Sequence, residues 1–301
     1  MSVDQKHIEN AERARQLYLD NLNPIEAMAD WHYAVQQARK LVADALRASK
    51  YLTDIKGGLR LSGAHNLVYR QLLAPPLSQD QFALVCPTWK KSSETKPKGV
   101  SEPIASSMET VITKRLDQGL VKWLAGARPP SRRDVITVLR VISTLMAQQK
   151  ISTARRSRLA AEQEHAVADL LLADGWTRDP SRLIDTRAAV PPRHFMHKTR
   201  FATNTATSQE VDIACGLSDT YVLAMECKVT NDETNSVKRI NDVIKKAGAW
   251  ASHWGSFVKS AALLQGVIHP RDVQRLSDAG IHVFWSHDLP EFHKWLSTQL
   301  K

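Results

Sequence analysis

Two acidic residues and one lysine interrupt a pair of segments that are otherwise mostly apolar. Asp212 lies in EVDIACG (210–216), and Glu226 and Lys228 lie in YVLAMECK (221–228). The first segment alternates apolar and polar residues, the second is nearly continuous in apolar residues, and turn residues separate them, which predicts a β-hairpin. The hairpin would bring the carboxylate of Asp212 beside that of Glu226, although fourteen positions separate the two residues along the chain.

This constellation predicts a metal-dependent reaction at a phosphate group. Side chains two apart share one face of a strand, so we expect Glu226 and Lys228 to point together and Cys227 into the opposite layer. Two carboxylates held close repel each other unless a cation lies between them, and a small set of oxygen ligands suits Mg²⁺. Phosphodiester hydrolysis uses such a site, because the metal polarises the phosphate while Lys228 orients the attacking water or neutralises developing charge.

The net charge indicates a polyanionic partner. Lys and Arg total 41 against 31 Asp and Glu, which gives a formal charge of +10. A positive balance attracts nucleic acid from a distance, although charge alone can also serve only to keep a protein soluble. Clusters of basic residues support nucleic acid as the partner, and they lie at residues 155–158, 193–200 and 238–246.

Two of these clusters supply candidate DNA contacts. The string RHFMHKTR (193–200) is expected to be either a DNA-contacting loop or an ordinary exposed basic loop, since Arg, Lys and His reach phosphates and Arg can bind guanine. On the helix after the hairpin, two residues are expected to face the phosphate backbone, with a solvated face as the alternative. The candidates are Arg193, His197, Lys198, Arg200, Lys238 and Asn241.

The first half of the chain is expected to be mostly helical. Apolar residues at spacings of three and four predict helix up to about residue 50, over METVITKRLDQGLVKWL (108–124), and after Ser131. Ser131 and Asp134 resemble an N-capping box for the last of these helices. Five prolines and a polar run make residues 74–103 a loop with at most a short helix, interpreted as a linker rather than a mobile DNA-facing segment.

Strand signals become strong beyond residue 155. A helix over 158–173 precedes the hairpin, and a helix over 235–254 follows it. Two apolar runs, AALLQGVI and IHVFWSH, then predict buried strands joined by a short crossover helix. This order predicts an α/β fold in which a mixed β-sheet core is flanked by helices and preceded by a mostly α-helical region. The expected domains are 1–150, for DNA grip or dimerisation, and 151–301, which carries the site.

Several other classes of protein lack the motif they would need. The three cysteines are widely separated, which excludes a disulfide framework or a zinc site built from paired cysteines. The histidines form no metal motif, and the chain has no Gly-rich phosphate loop, so no nucleotide cofactor is expected. No apolar run reaches the ~18 residues of a membrane helix, and the N-terminus is polar, so a cytoplasmic protein without membrane contact is expected.

The pattern Asp212 followed by Glu226-Cys227-Lys228 resembles the Asp…(Asp/Glu)-x-Lys signature of the PD-(D/E)XK nuclease superfamily, whose members share a restriction-endonuclease-like α/β core. Glu164 begins EHAVADLLLADGW, which looks like the helix that opens this core and often brings a glutamate towards the metal. The alternative for Glu164 is a solvated helix residue. Val211 stands where the signature has proline, a departure that is common in the superfamily.

A closer resemblance extends from about residue 60 to the C-terminus. Segments including LLAPPLSQDQFALVCP, SRLIDTRAAVPPRHFMHKTRFAT and AMECKVTNDETNSVKRINDV look like the XamI-type family of type II restriction endonucleases. The resemblance implies Mg²⁺-dependent cleavage of a short palindromic duplex site by a homodimer with one active site per strand. It also implies that Asp212 and Glu226 bind the metal with the backbone carbonyl of Cys227, and that Lys228 serves the attacking water.

Two alternatives remain open at this point. One is a structure-specific repair or junction nuclease built on the same core. The other is a DNA-binding protein that resembles a nuclease but does not cut. The products of a plasmid digest distinguish the three hypotheses, because discrete fragments require sequence recognition.

Overall fold

The computed structural model describes residues 3–21 and 24–300. Contacts divide the chain into two compact units, each with its own core. The helical unit comprises Pro24–Thr153, and the sheet unit comprises Met1–Asn23 together with Ala154–Lys301. The chain begins in the sheet unit with helix α1 (Gln5–Asp20), whose N-terminus is capped by the carboxylate of Asp4.

The helical unit is built from short helices packed around one apolar core. Trp123, Tyr69 and Phe82 are among its largest fully buried side chains. Polar caps fix the helix starts, as at Ser78, which forms a capping box with Gln81. The helices are α2 (Pro24–Ala48), α3 (Ile55–Leu61), α4 (His65–Tyr69), α5 (Gln79–Val85), α6 (Glu102–Thr113), α7 (Lys122–Ala125) and the first part of α8 (Arg132–Ala173).

Two helix predictions in this region are wrong in extent. The helix expected over 108–124 is interrupted after α6, because Leu116 forms a bridge with Leu73 and the Asp117 N–H donates to the carbonyl of Leu72. Two separate helices were expected between 131 and 173, but α8 runs through as one helix of 42 residues. Its sequence contains neither Pro nor Gly to end it earlier.

Other helix predictions are confirmed. Ser131 and Asp134 exchange hydrogen bonds as a capping box at the start of α8, and α5 is the short helix allowed within the proline-rich segment. Asp134 also pairs with Arg128, and these contacts lower the pKa of its carboxyl to about 2.

In the described part of the chain, no helix is both long and apolar enough to cross a membrane.

A single mixed sheet organises the sheet unit. Its strands run in the order β1-β3-β4-β5-β6-β7, with β2 also pairing with β3. Strand β4 is antiparallel to both of its neighbours, β3 and β5, whereas β1 and β2 pair with β3 in parallel and β5, β6 and β7 are parallel to one another. The strands are β1 (Thr177–Asp179), β2 (Leu183–Ile184), β3 (His194–Phe201), β4 (Gln209–Gly216), β5 (Val222–Thr230), β6 (Val258–Gly266) and β7 (His282–Trp285).

Helices cover both faces of this sheet. Helices α1, α9 (Glu233–Trp254) and α10 (Pro270–Asp278) bury apolar side chains in the core on one face. The end of α8 and α11 (Leu289–Gln299) do so on the other face. The expected fold class, an α/β protein with a mixed sheet flanked by helices and preceded by a largely helical region, is confirmed, as are the hairpin β4–β5 and the crossover helix α10.

The contacts place the N-terminal helix in a different unit from the one expected. Residues 1–150 were predicted as one helical domain, but Ala11 and Ala14 of α1 are buried in the core of the sheet unit. The His7 ring also bonds to Ser277 of α10 at 3.0 Å. These two small alanines give α1 only a weak apolar face, so the sequence carries little sign of where the helix docks.

Gly216 offers a test of the close packing beside the hairpin. A Cβ at Gly216 would collide with the carbonyl oxygens of Val190 and Pro191, whereas a Cβ at Gly248 of α9 would meet no atom of the described residues within 4 Å. Gly216→Ala should therefore destabilise the protein by about 2 kcal/mol. Gly248→Ala should stabilise it by about 0.5–1 kcal/mol, since alanine favours helix. Urea unfolding of both variants checks this; equal midpoints would contradict the packing described for Gly216.

Candidate active site

Strand β5 sends alternate side chains into the two layers that flank the sheet. Val222 and Ala224 lie in the core with α9, whereas Leu223 and Met225 lie in the core with α8 and α11. By this alternation Glu226 is on the α9 face and Cys227 on the α8 face, as expected. The same alternation places Lys228 on the same face of the sheet as Glu226, and the Lys228 Nζ donates to Glu226 Oε2 at 2.6 Å.

The adjacent strand brings Asp212 to the same place. The β4–β5 ladder pairs Ile213 with Met225, and Asp212 and Glu226 are the next residues along each strand. The Asp212 carboxylate accepts a hydrogen bond from the backbone N–H of Cys227, with an Oδ2 to N distance of 2.7 Å. The structure thus brings together the three residues singled out in the sequence.

Helix α9 contributes two further charged groups that sequence reasoning missed. Lys246 Nζ donates to Glu226 Oε2 at 2.8 Å, and Asp242 Oδ2 lies 3.7 Å from Lys228 Nζ. Asp242 and Lys246 are four residues apart, so they share a helix face, and each precedes a buried residue of the apolar stripe, Val243 or Ala247. This position next to the apolar stripe is the feature of the sequence that could have identified Asp242 and Lys246 as residues near the site.

Burial controls the electrostatics of this cluster. The side chain of Glu226 has no exposed surface, and Lys228 retains 10%. Burial has the largest effect on the pKa of Glu226 and raises it. The positive charges of Lys228 and Lys246 oppose this rise, the negative charge of Asp212 adds to it, and the net pKa is raised. Burial alone would lower the pKa of Lys228, but the negative charges of Glu226 and Asp212 outweigh it, so the net pKa is raised and Lys228 remains an ammonium group.

The donor set fits a divalent cation. Glu226 Oε1 is buried and has no hydrogen-bond partner among the described residues, and burial raises the pKa of this carboxyl group in spite of the two lysines beside it. Backbone N–H and C=O groups of one strand residue face the same neighbour, so the Cys227 carbonyl is directed to the β4 side with its N–H. Among the described residues no three His, Cys, Asp or Glu side chains are grouped closely enough to hold a metal, so a metal held by Asp212 and Glu226 would need further ligands such as a carbonyl or substrate oxygen.

Glu164 approaches the cluster from the opposite layer. It is only 5% exposed on α8, so the alternative of a solvated helix residue is wrong. Its Oε2 lies 2.7 Å from His197 Nε2 and 3.1 Å from Lys198 Nζ. Burial raises the pKa of the Cys227 thiol well above its usual value, and the carboxylates of Asp212, Glu164 and Glu226 raise it further, so this thiol is no nucleophile.

An irregular residue on β3 makes the double contact of Glu164 possible. Lys198 has a φ of 52° and lies between His197, paired with Ile213, and Thr199, paired with Val211. Consecutive residues of a regular strand point to opposite faces, but here His197 and Lys198 both reach Glu164. On the paired strand the alternation is also interrupted, because Val211 packs in the α9 layer whereas Ile213, two residues away, packs on the α8 face.

The predicted basic loop over 193–200 is a strand, which separates its charges. Arg193 and Arg200 are seven residues apart, about 23 Å of extended chain. Arg193 pairs with Asp174 and lies over the ring of Trp176, away from the cluster. The prediction of a loop was wrong because the apolar residues of HFMHKTRF are few and unevenly spaced.

A cleft opens beside Asp212. It has a volume of about 500 Å³ and is lined by residues 181–183, 198–200 and 210–212. Lys198 and Arg200 are 62% and 59% exposed, and Arg200 pairs with the exposed Glu210. An exposed ion pair of this kind contributes little stability, so a phosphate can replace Glu210.

The two candidates on α9 differ in their surroundings. Lys238 is exposed. The Asn241 side-chain oxygen accepts a hydrogen bond from Arg275 of α10 at 2.5 Å, so part of its side chain is engaged within the protein.

The mixed sheet with helices on both faces, together with the Asp-Glu-Lys cluster on adjacent strands, defines an α/β protein of the restriction-endonuclease-like class. The family model described as XamI restriction endonuclease matches residues 50–285. The match covers most of the chain, and the chain belongs to this family.

A curated relative supports the assignment. The type II restriction enzyme XamI of Xanthomonas campestris pv. amaranthicola is 30% identical over 192 residues, which are 62% of this chain and 66% of that enzyme. The match therefore spans slightly less than two thirds of the relative's length.

Two solved structures are similar to the chain at low TM-score. Protein VC1899 from Vibrio cholerae gives a TM-score of 0.32 at 10% identity, over 90% of this chain and 57% of the other. A complex of restriction endonuclease PspGI with substrate DNA gives 0.33 at 12% identity, over 82% of this chain and 76% of the other. The fold assignment rests on the strand order and the family match, not on these two likenesses.

The hydrogen bond between Asp212 and Cys227 predicts how the site tolerates substitution. Asp212→Asn retains an oxygen that accepts from the Cys227 N–H, whereas Asp212→Ala leaves this group without a partner. We expect Asp212→Ala to be less stable than Asp212→Asn by about 1–2 kcal/mol, measured by urea unfolding. Equal stabilities would mean that this bond does not hold the two strands together at the site.

Proposed function

We propose that this protein is a Mg²⁺-dependent type II restriction endonuclease that cuts double-stranded DNA at a short palindromic site. One observation carries the proposal: the fully buried carboxylate of Glu226 lies with Asp212 and Lys228 on adjacent strands, and one of its oxygens has no partner among the residues that the structure describes. The relative's name, a type II restriction enzyme, supports the same activity.

In the proposed reaction each residue has a separate task. Asp212, Glu226 and the Cys227 carbonyl hold Mg²⁺, which when bound supplies Lewis-acid polarisation of the phosphate and activation of water. Lys228, kept as an ammonium group by its carboxylate neighbours, orients the attacking water and neutralises charge on the phosphate in the transition state. Glu164 is proposed to hold His197 and Lys198 in place and thereby to shape the approach to Asp212.

The proposed path of the DNA follows the exposed positive charge beside the site. Lys198 and Arg200 line the cleft that opens at Asp212, so a phosphodiester group in the cleft would lie between cations and the metal ligands. His197 and Lys238 are proposed as further phosphate contacts, and Arg193 and Asn241 as more distant ones. A palindromic duplex is cut on both strands when two copies act together, so we propose a homodimer in which the helical unit grips DNA or forms the dimer.

The catalytic assignment predicts three inactive variants. Asp212→Asn, Glu226→Gln and Lys228→Met should each reduce the rate of plasmid cleavage in Mg²⁺ by about 10³-fold or more, because each removes a metal ligand or a charge at the phosphate. Gel electrophoresis of timed digests measures the rate. Circular dichroism of each variant verifies that it remains folded.

The matched control is Glu233→Gln, which removes an exposed carboxylate in the first turn of α9 away from the site. It should cleave as the unaltered protein does. Full activity in Asp212→Asn, Glu226→Gln or Lys228→Met would place the chemistry elsewhere. Cleavage products of no fixed size would favour the structure-specific nuclease. Binding of DNA without any nicking in Mg²⁺ or Mn²⁺ would favour the non-cutting DNA-binding protein.

The cleft predicts a change in salt dependence. Lys198→Asn and Arg200→Gln should each weaken duplex binding and reduce the slope of log affinity against log salt by about 1, since each removes one phosphate contact. Asparagine at 198 tolerates the positive φ, so the strand keeps its shape. Fluorescence anisotropy with a labelled duplex in EDTA measures both quantities.

Lys294→Gln on α11, an exposed lysine outside the cleft, is the control for loss of one positive charge. Its slope should stay near that of the unaltered protein. If all three variants lose the same amount, the effect comes from net charge, and the cleft is not the DNA-binding surface.

A further inference from the structure

Lys246 was not among the predicted catalytic residues, yet its side chain contacts the buried carboxylate of Glu226. Its Nζ donates to Glu226 Oε2 at 2.8 Å, and the same oxygen accepts from Lys228 at 2.6 Å. Within the part of the chain that the structure describes, this is the one hydrogen bond that Lys246 makes. Lys228 differs, because it also lies 3.7 Å from Asp242.

The formal charges explain why two ammonium groups gather on one oxygen. Asp212, Glu226 and the half-exposed Asp242 carry three negative charges, and Lys228 and Lys246 carry two positive ones, so the formal charge of the cluster is −1 without any metal. The side chain of Glu226 is wholly buried and that of Lys246 is 16% exposed, so water screens this pair weakly. A divalent cation added to this cluster would leave one excess positive charge, which the departure of Lys246 would remove.

We propose that Lys246 is a positioning residue that compensates the charge of Glu226 in the absence of the divalent cation, opposes the cation through its own positive charge and turns away from Glu226 when the cation binds. Lys246 lies on a separate element, α9, and at the rim of the cluster, so its side chain can turn to solvent while Lys228 stays between Glu226 and Asp242. The inference rests on the proposed function, since it takes Glu226 as a metal ligand.

The test measures Mn²⁺ binding to the DNA-free protein by the loss of the free-ion electron paramagnetic resonance signal, which requires no cleavage. Lys246→Met removes the competing charge and should tighten Mn²⁺ binding by about fivefold, the size expected for two groups in direct contact. Lys246→Arg keeps the charge and should bind Mn²⁺ as the unaltered protein does. A damaged site would bind more weakly, so a gain in affinity is specific to competition.

The neighbouring Lys245, which is exposed on the same helix turn, supplies the matched control. Lys245→Met makes the same change in net charge and should alter Mn²⁺ affinity far less. Equal gains in both variants, or weaker binding in Lys246→Met, would overturn the proposal. Lys246→Gln, which preserves a polar end, is measured alongside in case the methionine variant does not fold.

Glu226→Gln separates this proposal from the proposed function. If the unaltered protein binds Mn²⁺ and Glu226→Gln does not, the metal site is where we place it, and the Lys246 variants decide the competition alone. If the unaltered protein binds no Mn²⁺, or Glu226→Gln binds it equally well, the proposed metal site itself fails.

Discussion

The burial of one carboxylate, that of Glu226, is the constraint on which the site depends. A carboxylate removed from water loses several kcal/mol of solvation, which only neighbouring charges and hydrogen bonds can offset. Lys228 and Lys246 supply that compensation on one oxygen, while the other has none. Burial therefore leaves one oxygen of this carboxylate without a partner among the described residues, and the proposed divalent cation would supply that partner.

The strands and helices around Glu226 hold its carboxylate in place. Parallel pairing with β6 and antiparallel pairing with β4 fix β5 on both edges, so Glu226 cannot turn towards solvent. Helix α9 closes one face and carries Lys246, and α8 closes the other and carries Glu164. Gln163, beside Glu164, bonds to the carbonyl of Leu263 on β6, which secures α8 against the sheet. Charged groups thus reach the site from both layers.

Local patterns in the sequence were sufficient for the hairpin, for the shared face of Glu226 and Lys228, and for α9, because strand alternation and helical spacing act over neighbouring residues. They were insufficient where distant segments decide the outcome. Strand β3 is polar enough to resemble a loop, and its pairing with β4 makes it a strand. The contact of Lys246 with Glu226 and the position of α1 depend on tertiary packing, and the left-handed backbone at Lys198 is unexpected for a lysine.

Cys227 stands between the two catalytic candidates in sequence but belongs to the other layer in space, where it packs with Met225 and Leu263. Along these three consecutive positions, the proposed chemistry would constrain Glu226 and Lys228, while core volume constrains Cys227. The middle position is therefore free of any catalytic requirement on its side chain and yet intolerant of large or charged residues. Variation there among related chains should be confined to compact apolar side chains and should track the size of the residues that α8 and α11 present to it.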